Sequence, residues 1–223
     1  MLRNNPLQGS RKTHGAIMAA LLAVLLCIMT LPTWTGSAYA DTTYHAYARG
    51  IHRLVMGYID GYGNSHTWNE SVRAVDEDAD GVNISTVAYC ADLWTSPPPT
   101  GVVRRGDLRE LYSQDKINKM ALVNVFVDQH SDIFYDDTYD ESFRLFFRQM
   151  AFWKIQNMDS GRLRDTFLED SERFGMTKQQ VDALYDQVLA FITNPDNLAR
   201  YVGHGYAYYG PAGTQSLMKV WYE

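Results

Sequence analysis

The sequence predicts a single α+β domain, with a mainly antiparallel, barrel-like sheet drawn from both ends of the chain and a helical middle. Three observations predict it. The first half carries β-branched and aromatic runs broken by glycine- and proline-rich stretches. Residues 115–195 carry apolar side chains at three- and four-residue spacing, with capping boxes ahead of two of the runs. Residues 216–222 have the composition of a closing strand.

Tyr44–Asp60 mixes Tyr, Ile, Val and His and runs into the glycine-rich stretch Gly57–Asn64, which reads as a strand pair or a strand and turn. Asp76-Glu77-Asp78-Ala79-Asp80-Gly81 reads as a solvated acidic turn. It mimics the start of a calcium loop, but position twelve is Val87, where a bidentate Glu is needed. Val82–Trp94 alternates and is β-branched early, so Cys90 is expected near a strand end. Ser96-Pro97-Pro98-Pro99-Thr100-Gly101 stops the ladder, because proline cannot donate to it.

Asp115–Val127 is apolar at Ile117, Met120, Ala121 and Val127, with Asn124 as a polar intruder on the same face. Thr138-Tyr139-Asp140-Glu141 reads as a capping box for a helix reaching about Asn157, with Phe143, Phe146, Phe147, Met150 and Trp153 on its apolar face. Ser160–Phe174 is expected as a polar-faced helix stopped by Gly175. Thr177-Lys178-Gln179-Gln180 is a second capping box, opening a helix that ends near Pro195. Gly203–Gly213 reads as a glycine- and tyrosine-rich loop, and Ser216–Tyr222 as the last strand.

Residues 1–40 read as a secretory signal peptide rather than as fold. Arg3, Arg11 and Lys12 form a basic start, Ala16–Leu31 is almost wholly apolar, and Ser37-Ala38-Tyr39-Ala40 offers cleavage before Asp41. An uncleaved anchor is the rival, with a run a little short for a span. Leu26 before Cys27 is too large for a lipid-attachment site, and Arg11-Lys12 is not a twin-arginine pair. The remainder, 41–223, suits one domain with a good core. Three of the 20 basic residues and none of the 26 acidic ones precede Asp41, so the exported part is more acidic than the −6 of the whole chain. That disfavours nucleic acid as a partner. After signal cleavage no apolar span remains for a membrane. No wall-sorting motif precedes Glu223, so a truncated product, one piece of a pilus system and a freely released protein are all among the expectations.

Of the two cysteines, Cys27 leaves with the signal and Cys90 stays alone. Exported proteins usually avoid a leftover thiol. A lone one is a buried passenger, a dimer disulfide, a protease nucleophile or a masked acyl-thiol. Gln149 lies mid-helix beside Leu145, Phe146, Phe152 and Trp153 at helical spacing. For an arbitrary Gln, a helix-shoulder position is the ordinary reading. The histidines His52, His66, His130 and His204 show no metal spacing, so no metal or cofactor is expected. Asn69-Glu70-Ser71 and Asn83-Ile84-Ser85 match the glycosylation acceptor, a three-residue pattern that also arises by chance.

Two segments change the odds on Cys90 and Gln149. Ala88-Tyr89-Cys90-Ala91-Asp92-Leu93 and Arg148-Gln149-Met150-Ala151-Phe152-Trp153 together resemble the thioester domains of Gram-positive surface adhesins. There a Tyr-Cys pattern near a strand end precedes a Gln-x-Ala-Ile-Trp pattern. Tyr89, Cys90, Gln149, Ala151 and Trp153 match, Phe152 replaces Ile, and Arg148 departs from the usual Thr or Val. The resemblance implies an internal thioester between Cys90 and Gln149, supported by Tyr89, Ala151 and Trp153. It implies a single-use covalent binder rather than a turnover enzyme, presenting an electrophile to a lysine amine, or to a hydroxyl, on a host-surface or matrix protein. Fibrinogen is one target of that family. Two other function classes stand beside it. One is a cysteine hydrolase or transpeptidase using Cys90 with His130 or His204. The other is a plain secreted binding domain with an inert cysteine.

Overall fold

A computed structural model describes residues 45–79, 82–135 and 141–223. The first strand, β1 (His45–Asp60), is one continuous strand rather than a strand pair. It turns at Gly61–Asn64 into β2 (Ser65–Ala79). The Asp60 carboxyl organises that turn, accepting hydrogen bonds from the backbone N–H groups of Tyr62 and Asn64 (both 2.9 Å) and pairing with the His66 ring at 3.0 Å. Gly63 takes the left-handed φ of 91° that the turn needs.

Strand β3 (Val82–Cys90) pairs with β2, and β4 (Gly101–Asp107) pairs with the start of β1. The last two strands, β6 (Gly203–Tyr209) and β7 (Leu217–Tyr222), join β4 to β3. The pairings β1–β2–β3–β7–β6–β4 and back to β1 therefore form a nearly closed antiparallel ring. Strand β5 (Leu163–Leu168) extends the sheet along the far half of β1. The expected α+β architecture, with strands at both ends of the chain around a helical middle, is the observed one.

Helix α1 (Gln114–Gln129) starts at the Ser113 cap and buries Ile117, Met120, Ala121, Phe126 and Val127. Its polar intruder tethers the helix to the sheet, because the Asn124 side-chain amide donates to the Val220 carbonyl of β7 at 2.9 Å. A single turn, α2 (Ser131–Phe134), follows. Helix α3 (Glu141–Asn157) is more buried than its predicted face, because Leu145, Phe152 and Ile155 are enclosed as well as Phe143, Phe146, Phe147, Met150 and Trp153. A helix covered on all sides lies inside the molecule rather than on it. The capping box predicted at Thr138 lies outside the described residues. The one at Thr177 opens α4 (Lys178–Thr193), with Thr177 and Gln180 bonding reciprocally, and Pro195 begins the short α5 (Pro195–Arg200).

Three expectations are corrected. Asp76, Glu77 and Asp78 lie in β2, paired with β3, rather than in an acidic turn. Two of them are paired there, Arg49 Nε meeting Asp76 Oδ2 at 2.9 Å and Arg105 lying 3.7 Å from the buried Glu77, while Asp78 is exposed. Ser160–Phe174 is not one helix. It holds β5, then a 3-10 turn at Ser171–Phe174, and it does stop at Gly175, with φ 69°. The cause is tertiary. The far half of β1 offers an open edge, and the Thr166 hydroxyl reaches the Met150 carbonyl of α3 at 2.9 Å.

Gly203–Gly213 is not all loop, because β6 occupies Gly203–Tyr209. Its glycines serve close approach: a Cβ on Gly203 would fall 2.5 Å from the Ile117 carbonyl oxygen, and one on Gly205 2.3 Å from Leu108.

Candidate functional site

Strand β3 keeps its pairing with β2 as far as Ala88, opposite Arg73. Beyond that point β3 stays with β7, with Cys90 opposite Leu217, while β2 stays with β1. The two strands diverge, and the backbone groups of Cys90 lose the ladder partners that Ser71 would have supplied. Such buried groups must find substitutes.

Gln149 supplies them from α3. Its Oε1 accepts from the Cys90 N–H at 2.7 Å, and its Nε2 donates to the Cys90 carbonyl at 3.0 Å. On the other side of the fork, the Ser71 N–H donates to Glu70 Oε1 at 2.8 Å. The same oxygen accepts from the Cys90 thiol, with Sγ 3.7 Å away. The other Glu70 oxygen accepts from the Trp68 indole at 2.9 Å. Gln149 is fully buried, Cys90 is 1% exposed and Glu70 5%.

The remaining predicted residues surround this contact. Tyr89 packs edge-on against Phe152, with ring centroids 4.9 Å apart. Its phenol is pushed up by burial, with the nearby Arg148 guanidinium opposing the shift. Arg148, the residue that departs from the adhesin pattern, is itself buried and pairs with Asp128 at 3.3 Å. Ala151 and Trp153 are fully buried on α3. Trp153 packs against Trp68, the residue that holds Glu70, with centroids 5.4 Å apart.

The loop after Cys90 is tied down at several points. Tyr112 donates to the Ala91 carbonyl. The Asp92 N–H donates to Gln215 Oε1, and the Trp94 indole to Asn157 Oδ1, both at 2.9 Å. A side chain on this loop is therefore held in place rather than left to sample.

Burial pushes the Cys90 thiol well up, and the neighbouring Glu70 pushes it further, with Arg73 opposing. At neutral pH the sulfur carries its proton and attacks nothing unless a neighbour removes it. Cys90 is buried and in no disulfide among the described residues, and the Gln149 carboxamide lies against its backbone.

His130 and His204 are engaged elsewhere. His130 Nδ1 lies 2.8 Å from the Phe126 carbonyl at the end of α1. His204 meets Glu223 at 3.5 Å and stacks on Trp221. It sits opposite Trp221, four residues along β7 from the position that faces Cys90, or about 13 Å along the sheet.

Glu70, Gln156 and Trp68 also belong to the site, although their local sequence does not single them out. Gln156 Nε2 donates to the Cys90 carbonyl at 3.3 Å, beside Gln149. Weak signals for them exist. Gln156 follows Gln149 by seven residues, two turns along one helix face. Trp68, Glu70, Val72 and Ala74 alternate along β2, which puts a carboxyl group on an otherwise apolar face. No family model matches the chain, and comparisons with curated proteins and with solved structures find no match.

Proposed function

We propose that this chain is an exported adhesin-type domain in which Cys90 and Gln149 close an internal thioester that captures an amine on a partner protein. One observation carries the reading: the Gln149 carboxamide is docked by two hydrogen bonds on the backbone of the cysteine that would attack it. The carboxamide carbon is one bond from an oxygen held 2.7 Å from the Cys90 nitrogen. That N–H is placed to stabilise the negative charge that develops on Oε1 when sulfur adds to the carbon. Sγ then displaces Nε2, which takes a proton and leaves as ammonia. The surrounding aromatic wall excludes water from the product. A thiol is a far better leaving group than an amine, so a lysine amine reaching the carbon forms a permanent amide with Gln149 and frees Cys90.

A host-surface or matrix protein is the partner class that follows from the adhesin resemblance, with export through residues 1–40. Intact mass tests the chemistry. Mature protein should weigh one ammonia less than its sequence, and Cys90→Ala should not.

A second reading has an observation of its own. Both Gln149 hydrogen bonds go to the Cys90 backbone rather than to its sulfur, which is what a purely structural glutamine at a strand fork would do. In that case the domain binds without covalent chemistry, and the mass equals the sequence mass.

A further inference from the structure

A cleft of about 370 Å³ opens where β2 and β3 part. Tyr58, Trp68 and Trp94 form aromatic walls, and Glu70 and Arg73 line it from β2. Glu70 is the carboxyl group that connects this cleft to the buried pair. It lines the cleft, and its Oε1 accepts the hydrogen of the Cys90 thiol. We propose that Glu70 is the proton-transfer group of the Cys90–Gln149 pair and that the cleft above it admits an unbranched primary alkyl amine, the end of a lysine side chain. This rests on the thioester reading.

The proton balance needs such a group. In bond formation Glu70 takes the thiol proton as sulfur adds to the Gln149 carbon, then returns it to Nε2 as the C–N bond breaks and ammonia departs. In capture the incoming ammonium gives a proton to Glu70. The neutral amine then adds to the same carbon, and the departing sulfur recovers a proton, leaving an amide and a thiol. Nothing is oxidised or reduced, and no co-reactant is required.

The cleft suits that substrate. Aromatic faces attract a cation, and Tyr58, Trp68 and Trp94 bring three such rings to the cleft. Arg53 and Arg73 also line the space, and positive neighbours favour loss of the ammonium proton, which is the step that creates the nucleophile. Trp68 fixes the carboxyl and is itself backed by Trp153, so Glu70 is aimed rather than mobile.

The experiment follows ammonia loss by intact mass in full-length protein from which the signal has been removed, then the reaction of the closed form with methylamine and n-butylamine. In Glu70→Gln, which keeps the shape and an acceptor for Trp68, closure should slow by roughly 100-fold, in the range expected for loss of a positioned base. A normal thermal melt would show that the fold survives. In Ser96→Trp, which fills the exposed rim of the cleft, the protein should still lose ammonia fully but react with n-butylamine at least about tenfold more slowly. This second variant carries the test if Glu70→Gln does not fold. Unchanged closure in folded Glu70→Gln, or unchanged butylamine reactivity in Ser96→Trp, overturns the inference while leaving the thioester standing. Wild type that never loses ammonia overturns the thioester reading itself and this inference with it.

Discussion

The contact between Gln149 and Cys90 holds the strand fork and, in the proposed function, also carries the chemistry, and mutation separates the two. Removing the Gln149 side chain leaves a buried Cys90 N–H without its acceptor, at a cost of about 1–3 kcal/mol, and opens a cavity besides. The Cys90 carbonyl suffers less, because Gln156 also reaches it. Cys90→Ala removes only a small side chain and keeps both backbone bonds. Both variants should fail to lose ammonia, but chemical denaturation should show Gln149→Ala to be the less stable.

A pH effect follows from the same burial. The folded Cys90 thiol is pushed above its unfolded value of about 8.5, so its contribution to stability is complete below that pH and is lost as pH rises toward the folded value. Protein with a free thiol, obtained by opening with methylamine, should lose about 1.4 kcal/mol per pH unit above pH 8.5 from this group. Cys90→Ala should not show that component. At this scale the sequence displays Cys90 and Gln149 through their flanking residues. The alternation along β2 marks Glu70 only as a carboxyl group on an apolar face, because its meeting with Cys90 depends on where β2 leaves β3, a tertiary event.

The elements show where local signals suffice. Helix α4 is legible because Thr177 and Gln180 form a reciprocal cap whose residues lie within one turn of each other in sequence. The strands β5 and β6 are not. Thr166 and the rest of β5 are ordered by the open edge of β1 and by α3, neither of which a local pattern can report. The glycines of β6 look like turn formers, yet they serve the approach of the strand to α1 and Leu108. Gly205→Ala tests this. Its Cβ would lie 2.7 Å from the Lys219 carbonyl as well as against Leu108, so it should cost about 1–3 kcal/mol by overpacking. A variant as stable as wild type in urea titration would show that β6 does not need the glycine.

The whole molecule places its proposed reactive pair at the point where the ring forks. Closing β3 onto β7 and β2 onto β1 leaves a gap that a side chain from the buried helix α3 fills. The chemistry proposed for this chain is what such a gap permits: a nucleophile and a carboxamide held together, dry, next to a carboxyl group. Export belongs to the same scale. N-terminal sequencing of secreted protein should begin at Asp41, and retention of residues 1–40 would replace a cleaved signal with an anchor. The most direct measurement is the intact mass of freshly purified, natively folded protein lacking residues 1–40. The account predicts a mass one ammonia below that of the sequence, rising on treatment with methylamine to the sequence mass plus methylamine less ammonia. A mass equal to the sequence, together with one titratable thiol per chain after unfolding, would contradict it.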